Sequence, residues 1–393
     1  MITQSTSAGP LAKRYDAVIV GARPAGAATG MLLARAGLDV LVIDRAARGQ
    51  DTLSSHALMR GAVDALDRWG ILPGIEAAGT PPITRTSFRY GTDVTAFGIE
   101  PLYAPRRTVL DPLMADAAAE AGATVRHQTA AAGLLRDDTG RVTGIVVDDA
   151  SSSDRGREAV SAEIVIGADG LRSWLARQVA APVTRSGTAC ASWMMTYVEG
   201  ADLADDGYLW AAAEGALGGI IPTNNGRHIL FGGIPRERFV TSVRGRVEEA
   251  YLELMAELGD DMYEAAITAR RVGPLRTFPG HVAQFRQAFG PGWALVGDAG
   301  YFKDPAAAHG ISDAVRDAEL LSEAILGGDL ENYERLRDDL STGLFTILER
   351  IAGFDWTLDE LPGLHRTLSR VMRDELTRFE SRHESRPAVL AAA

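Results

Sequence analysis

The sequence predicts an α/β protein in three parts. A parallel nucleotide-type sheet comes first, an antiparallel sheet is inserted into it, and a helical region ends the chain. Three observations lead there. The chain opens on a strand, a glycine turn, a helix and a second strand; its middle is rich in short apolar runs; from Gly310 onward apolar residues recur every three to four positions. Short β-branched runs mark buried strands, and the three-to-four spacing marks one face of a helix.

The elements follow in order. Met1 to Arg14 is small and polar, without the apolar core of a signal peptide, and reads as a loose tail. Tyr15–Val20 is continuously apolar and reads as a buried parallel strand. A helix from about Ala25 to Ala36 stops at Gly37, the usual left-handed cap, and Val40–Ile43 is a second buried strand ending at Asp44. Strand-like runs recur at Thr124–His127, Val142–Val147, Ile164–Ile166, Trp193–Val198, Leu217–Ile221 and Ile229–Gly232. The polar patch Ser151–Gly156 reads as an excursion between two strands of a hairpin. A helix over Val243–Leu258 and a strand at Trp293–Val296 precede the long helix from Gly310, whose inner face carries Ile311, Val315, Ala318 and Ile325 until Gly327-Gly328 breaks it. Tyr333, Leu336, Leu340, Leu344, Ile347 and Ile351 continue the helical spacing.

Composition bounds the function. Of 393 residues, 40 are Lys or Arg and 52 Asp or Glu, a net charge of −12, which argues against a nucleic acid or an anionic membrane as partner. No uncharged apolar run approaches the ~18–20 residues that cross a bilayer. Cys190 is the single cysteine, which excludes an intramolecular disulfide and points to a reducing, cytoplasmic setting. Neither His-Glu-x-x-His nor Cys-x-x-Cys occurs, so no metal site is expected. The only lysines are Lys13 and Lys303, and Lys303 is read as an ion-pair partner rather than a catalyst.

Three motifs carry chemistry. Gly21-Ala22-Arg23-Pro24-Ala25-Gly26 joins the first strand to the first helix in the manner of a G-x-G-x-x-G turn, where backbone amides and a helix start face a pyrophosphate. Arg23 replaces the middle glycine. Asp44 follows Gly21 by 23 positions, the place of a ribose-binding carboxylate, with Arg45 beside it. The plainer alternative is a glycine turn and a capping aspartate that close a βαβ unit. Ile164–Ser173 runs a strand into the turn Asp169-Gly170, which is common in any fold and alone leaves a cofactor contact undecided. Trp293–Gly300 carries Gly297-Asp298 at a strand end, followed by Pro305 and by His309-Gly310-Ile311 opening a helix whose free amides suit a negatively charged ring.

In this order, over Tyr15 to about Ile325, the motifs resemble the class A FAD-dependent monooxygenases typified by para-hydroxybenzoate hydroxylase. The resemblance implies a Rossmann-like FAD-binding domain with an inserted antiparallel-sheet substrate domain and a C-terminal helical region. It would place the FAD-binding domain at 15–80, 101–180 and 271–328, the substrate domain at 81–100 and 181–270, and the helical region at 329–393. It implies FAD as cofactor and NAD(P)H as transient co-substrate. Gly21, Arg23, Pro24, Ala25 and Gly26 would hold the pyrophosphate, Asp44 and Arg45 the adenosine ribose, and Asp298 the ribityl chain. Pro305, Gly310 and Ile311 would lie close to the ring. Asp169 would sit in the family's Asp-Gly motif, and Arg107 would supply the contact made by the segment Pro105–Asp111, unless it is a surface arginine opening a helix.

The family's reaction is hydroxylation or epoxidation of a small organic substrate, aromatic or polyketide-like, with O₂. His309 and His56 are the candidate catalytic groups, each weighed against a helix-start or loop residue bonded to backbone. Tyr208, Trp210, Pro222 and Phe231 are the candidate substrate contacts, each weighed against core packing. The runner-up is an FAD-dependent double-bond reductase of the geranylgeranyl-reductase type. A flavin-dependent halogenase is disfavoured, because Leu217–Pro222 keeps the Ile-Pro end of that group's Trp-x-Trp-x-Ile-Pro without either tryptophan. A plain NAD-dependent dehydrogenase would leave Gly297-Asp298 unexplained, and a non-catalytic flavin protein would show no reduction by nicotinamide. Monomer and homodimer stand level.

Overall fold

The computed structural model describes residues 13–149 and 157–383, apart from 202, 205 and 244. The expected tail therefore lies outside the described residues except for Lys13 and Arg14, which extend the first strand to Lys13–Val20. The Ser151–Gly156 patch also lies outside them, while the strands flanking it, Val142–Asp149 and Arg157–Gly167, pair antiparallel.

The first sheet contains five parallel strands in the order Thr124–Arg126, Val40–Ile43, Lys13–Val20, Arg157–Gly167 and Trp293–Leu295. Continuous burial explains their β-branched runs: Ala17, Val18, Ile19 and all of Val40–Ile43 are fully buried. On one face pack the helices Pro24–Arg35, Arg107–Glu120 and Gly310–Gly327, joined through Ala27, Met31, Leu110, Met114, Val315 and Leu321. On the other, the hairpin Thr129–Arg136/Val142–Asp149 brings Val142, Ile145 and Val147 against Val18, Leu41 and Ile43.

The second sheet has seven strands: Arg270–Phe278, Ala191–Glu199, Arg227–Pro235, Ala216–Thr223, Gly207–Ala213, Ile83–Tyr90 and Asp93–Leu102. Every pairing is antiparallel except Gly207–Ala213 on Ile83–Tyr90, where the early hairpin joins strands from much later in the chain. One face is covered by the helix Val247–Leu258, whose Tyr251, Leu254, Met255 and Leu258 meet Met194, Val198, Ile220 and Leu230. Each such apolar side chain contributes roughly 1.5–3 kcal/mol on burial. That helix begins four residues later than its spacing predicts, because Val243 closes a wider turn, Phe239–Val243.

The C-terminal region is two long helices, Leu330–Ala352 and Leu361–His383. No helix among the described residues is long and apolar enough to cross a membrane.

Candidate functional site

The glycine turn is too tight to hold a side chain at two of its positions. Gly21 has φ +110°, and a Cβ there would sit 2.4 Å from the Ala168 carbonyl oxygen. A Cβ on Gly26 would come within 1.8 Å of the Gly21 carbonyl oxygen. Asp44 fastens the turn from the next strand: its carboxylate accepts the amides of Ala22 at 2.9 Å and Ala46 at 2.8 Å. Arg45 follows it, exposed. Pro24 opens the helix, but the Arg23 side chain does not cap it. Instead Arg23 Nη1 donates to Thr52 Oγ1 at 2.9 Å, and its Nε lies 3.8 Å from Asp111. Arg107, buried rather than on the surface, grips the same Asp111 with bonds of 2.6 and 3.0 Å. Two guanidinium groups thus flank one carboxylate beside the turn.

The later motifs arrive at the same edge. Gly297-Asp298-Ala299 forms a single tight turn, and a Cβ on Gly297 would lie 3.0 Å from that of Ala25. Burial pushes the Asp298 carboxyl up to about 6, against the pull of Lys303 and Arg107. Asp169 caps a short helix, accepting the amides of Trp174 at 2.5 Å and Leu175 at 3.3 Å. Burial raises its carboxyl despite those bonds, and Oδ1 is left buried without a partner.

The helix Gly310–Gly327 starts after Ala308 in left-handed backbone, φ +51°. No side chain caps its start, Pro305 and Gly310 are exposed, and a Cβ on Gly310 would meet nothing within 4 Å. Ile311 turns inward to the core shared with the first helix. His309 is buried, its Nδ1 3.1 Å from Asp313 Oδ1, and burial together with Lys303 and Arg316 holds its imidazole well below the ordinary range. Lys303 pairs with Asp313, as an ion-pair partner should. Arg316 reaches Asp313 at 3.2 Å, Asp317 at 2.7 Å, Ser341 Oγ at 2.8 Å and also Glu375 of the last helix. His309, Asp313 and Glu375 stand close enough to hold a metal ion, within 4.8 Å, but Lys303 and Arg316 already balance these carboxylates.

The donor set fits FAD. Two uncapped helix starts and the guanidinium groups of Arg23 and Arg107 suit a diphosphate; the carboxylates of Asp44 and Asp298 suit sugar and ribityl hydroxyls; the open space at Gly310 suits a flat ring. The family described as FAD binding domain matches residues 14–327. The chain belongs to that family. It is an FAD-dependent oxidoreductase of the para-hydroxybenzoate hydroxylase-like class. A menaquinone reductase of Mycolicibacterium smegmatis is 27% identical over 86% of this chain and 84% of its own. A digeranylgeranylglycerophospholipid reductase of Methanosarcina mazei is 25% identical over 93% and 91%. The flavin-dependent brominase Bmp2 shares the fold, with a TM-score of 0.77 at 19% identity over 97% of this chain and 94% of its own.

In the flavoprotein, the face of the second sheet opposite its helix turns toward the Ala306–Ala308 loop. Register places Trp210, Gly219, Phe231 and Met195 in one row across four strands, and Trp193 and Tyr197 on the same side of theirs. Trp210 meets Tyr208 at 5.7 Å and Phe231 at 5.9 Å, and Phe231 meets Trp193 at 6.2 Å. Leu344, Ile347, Leu348, Ile351, Trp356 and Leu361 of the C-terminal region complete the cluster. Three of the four expected aromatic or rigid residues therefore share it. Pro222 does not: one register step from Ile221, it stands on the helix-covered face with Ile220. Gly219 also explains the absent tryptophan, since a Cβ there would lie 2.1 Å from the Leu209 carbonyl oxygen and 2.9 Å from the Phe231 ring.

His56 joins this face. It is fully buried with φ +62°, and Nε2 makes a short hydrogen bond with the Tyr197 hydroxyl, the two rings stacked at 5.6 Å. Arg106 lies 4.2 Å over the Tyr197 ring and bonds Asp51 at 2.7 Å; Arg276 reaches the same Asp51 at 3.4 Å. Sequence reading missed Tyr197, Trp193 and Met195 as site residues, although the alternation Trp193, Met195, Tyr197 within an expected strand places them on one face.

Proposed function

We propose that the flavoprotein reduces a carbon–carbon double bond in a long apolar substrate of polyprenyl type. One observation carries the reading: the wall beside the Ala306–Ala308 loop is a continuous apolar cluster, built by the sheet together with both C-terminal helices, with its polar groups gathered at one end around Tyr197. Opened to a ligand, such a cluster would bind hydrocarbon by burial, at ~25 cal/mol per Å². The two full-length relatives support it, for a menaquinone and a digeranylgeranyl lipid share a polyprenyl chain. In this reading Gly21–Gly26, Asp44, Arg45, Arg107, Asp169 and Asp298 hold FAD, with Pro305, Gly310 and Ile311 at its ring. FAD, once reduced by NAD(P)H, would supply the hydride. The chain's own residues align the substrate, exclude water and manage the proton.

The second reading is the oxygenation expected from sequence. The row of Trp193, Phe231 and Trp210 favours it, since aromatic faces receive a flat ring. One experiment separates the two. The yellow protein is bleached anaerobically with NADPH or NADH and then given menaquinone with a short prenyl tail in detergent. A product heavier by two hydrogens that air does not reoxidise supports double-bond reduction. A quinol that air returns to starting material, or no change in mass, overturns it. Oxygen uptake matched by an added oxygen atom in an aromatic substrate would establish the second reading instead.

A further inference from the structure

We infer that Tyr197 is the proton donor to the substrate and that His56 is the positioning residue that orients its hydroxyl; this rests on the reductase reading above. Four observations place the pair. Tyr197 belongs to the apolar wall, packed with Met195, Ile229 and the Ala306–Ala308 loop, so its hydroxyl is the polar atom at the end of a hydrocarbon surface. His56 is held there in left-handed backbone, φ +62°, a conformation that persists in a non-glycine residue where the surroundings impose it. Its Nε2 takes the Tyr197 hydroxyl as partner, while Nδ1 is buried with none. The charged groups facing the pair are the guanidinium groups of Arg106, Arg107 and Arg276 and the carboxylate of Asp51, which bridges Arg106 and Arg276.

This arrangement has a defined direction. Burial, reinforced by Arg107, Arg106 and Arg276, keeps His56 neutral, so it carries one ring proton. With that proton on Nε2 it donates to Tyr197, and the Tyr197 O–H is free to point at the substrate while Nδ1 remains an acceptor. As the double bond is reduced, the Tyr197 O–H bond breaks and a C–H bond forms at one carbon. A hydride, which reduced FAD would supply, gives its electron pair to the other carbon while the π pair forms the bond to the proton, so the double bond is consumed. The phenolate is stabilised by Arg106 over its ring and by the Nε2–H of His56. A water entering the emptied substrate site returns the proton to its oxygen, so the phenol is restored and the His56 tautomer is unchanged.

The test combines a spectrum with a turnover. Nitrogen-15 NMR of labelled histidine in the FAD-bound protein should show His56 as the neutral Nε2–H tautomer between pH 6 and 8, with its resonances displaced in Tyr197→Phe. Tyr197→Phe should cut reduction of the prenylated quinone by roughly a hundredfold or more, while bleaching by NADPH proceeds at the wild-type rate. His56→Asn, which tolerates the left-handed backbone, should fold and alter the pH profile of reduction without altering that of bleaching. An imidazolium or an Nδ1–H tautomer for His56 overturns its positioning role. An active wild type with Tyr197→Phe within threefold of it overturns the donor role alone. A wild type that leaves the prenyl chain intact overturns the functional reading, and the donor role falls with it.

Discussion

Two glycines of the cofactor motifs should respond to the same added methyl group in opposite ways. At Gly26 the Cβ of an alanine would lie 1.8 Å from the Gly21 carbonyl oxygen and 3.0 Å from the Ala168 side chain. The first helix must then move off the turn, and overpacking of this kind costs about 1–3 kcal/mol or more. At Gly310 the Cβ meets nothing within 4 Å, in a helix whose start needs no special backbone. Alanine should therefore leave the apo fold unchanged or stabilise it by up to about 1 kcal/mol. The open space is where the ring is proposed to lie, so the cost should appear only when FAD binds. The same ~1–3 kcal/mol of crowding corresponds to FAD bound roughly 5- to 150-fold more weakly. The assay pairs urea unfolding of the apoprotein with titration of FAD by flavin fluorescence. Gly26→Ala should lose stability, and Gly310→Ala should keep stability and lose affinity. A Gly310→Ala variant with wild-type affinity refutes the placement of the ring at this helix start.

Further outcomes follow from the buried charges and the sheet. Arg316→Met leaves Asp317 and Glu375 buried without their guanidinium and should cost about 3–5 kcal/mol in urea unfolding. Glu375→Gln should cost less, because Arg316 keeps Asp313, Asp317 and Ser341. His56 and His309 are both held below their ordinary value, so the unfolded chain binds their protons first. Each histidine therefore withdraws stability as pH drops below about 6.5, approaching ~1.4 kcal/mol per pH unit until its folded value is passed, while the raised carboxyls of Asp298 and Asp304 contribute in the opposite sense. Urea midpoints at pH 7.5 and 5.5 isolate the histidine part as a difference: a His56→Asn, His309→Asn double variant should gain stability relative to wild type on going from pH 7.5 to 5.5. Gly219→Trp, which would restore one tryptophan of the halogenase motif, should fail to fold into a flavin-binding form, read by thermal unfolding and flavin absorbance.

The parallel sheet was legible because its strands are buried on both faces. Val40–Ile43 and Val18–Val20 leave no polar position to blur the pattern, and the glycine turn between them announces its own geometry. The hairpin Ile83–Tyr90/Asp93–Leu102 was not read as a pair of strands. Its second strand is exposed along nearly its whole length, and burial is what makes a strand visible in sequence. Asp298 and Gly310 were read as parts of one motif, and the Gly297–Ala299 turn does pack on the helix that Gly310 opens, but the partners of Arg107 and Lys303 were only partly accessible. Arg107 meets Asp111 one helical turn away, a spacing that sequence does show. Arg316 meets Glu375 across 59 positions and His56 meets Tyr197 across 141, separations at which only the fold creates the contact. Pro222 illustrates the converse: one register step decides its face, and the strand boundary alone does not fix that step.

The division between arginine and histidine in the cleft has a physical logic that the composition alone does not reveal. In the proposed reading the groups that would meet a diphosphate or steady a phenolate are Arg23, Arg106, Arg107 and Arg276, all guanidinium groups. Arginine keeps its charge when buried, whereas lysine readily surrenders its proton. Lys303 shows the difference within the same protein, since burial and the neighbouring Arg316 pull its ammonium down to about 7. A lysine in place of Arg107 would face similar burial and would bind an anion only over part of the working pH range. The imidazoles are instead kept neutral, His56 by burial and by Arg107, Arg106 and Arg276, and His309 by burial and by Lys303 and Arg316. In the proposed reading permanent charge would hold the cofactor, and the neutral, desolvated imidazole of His56 would orient the proton donor. The two tasks do not interfere because no single residue is asked to do both.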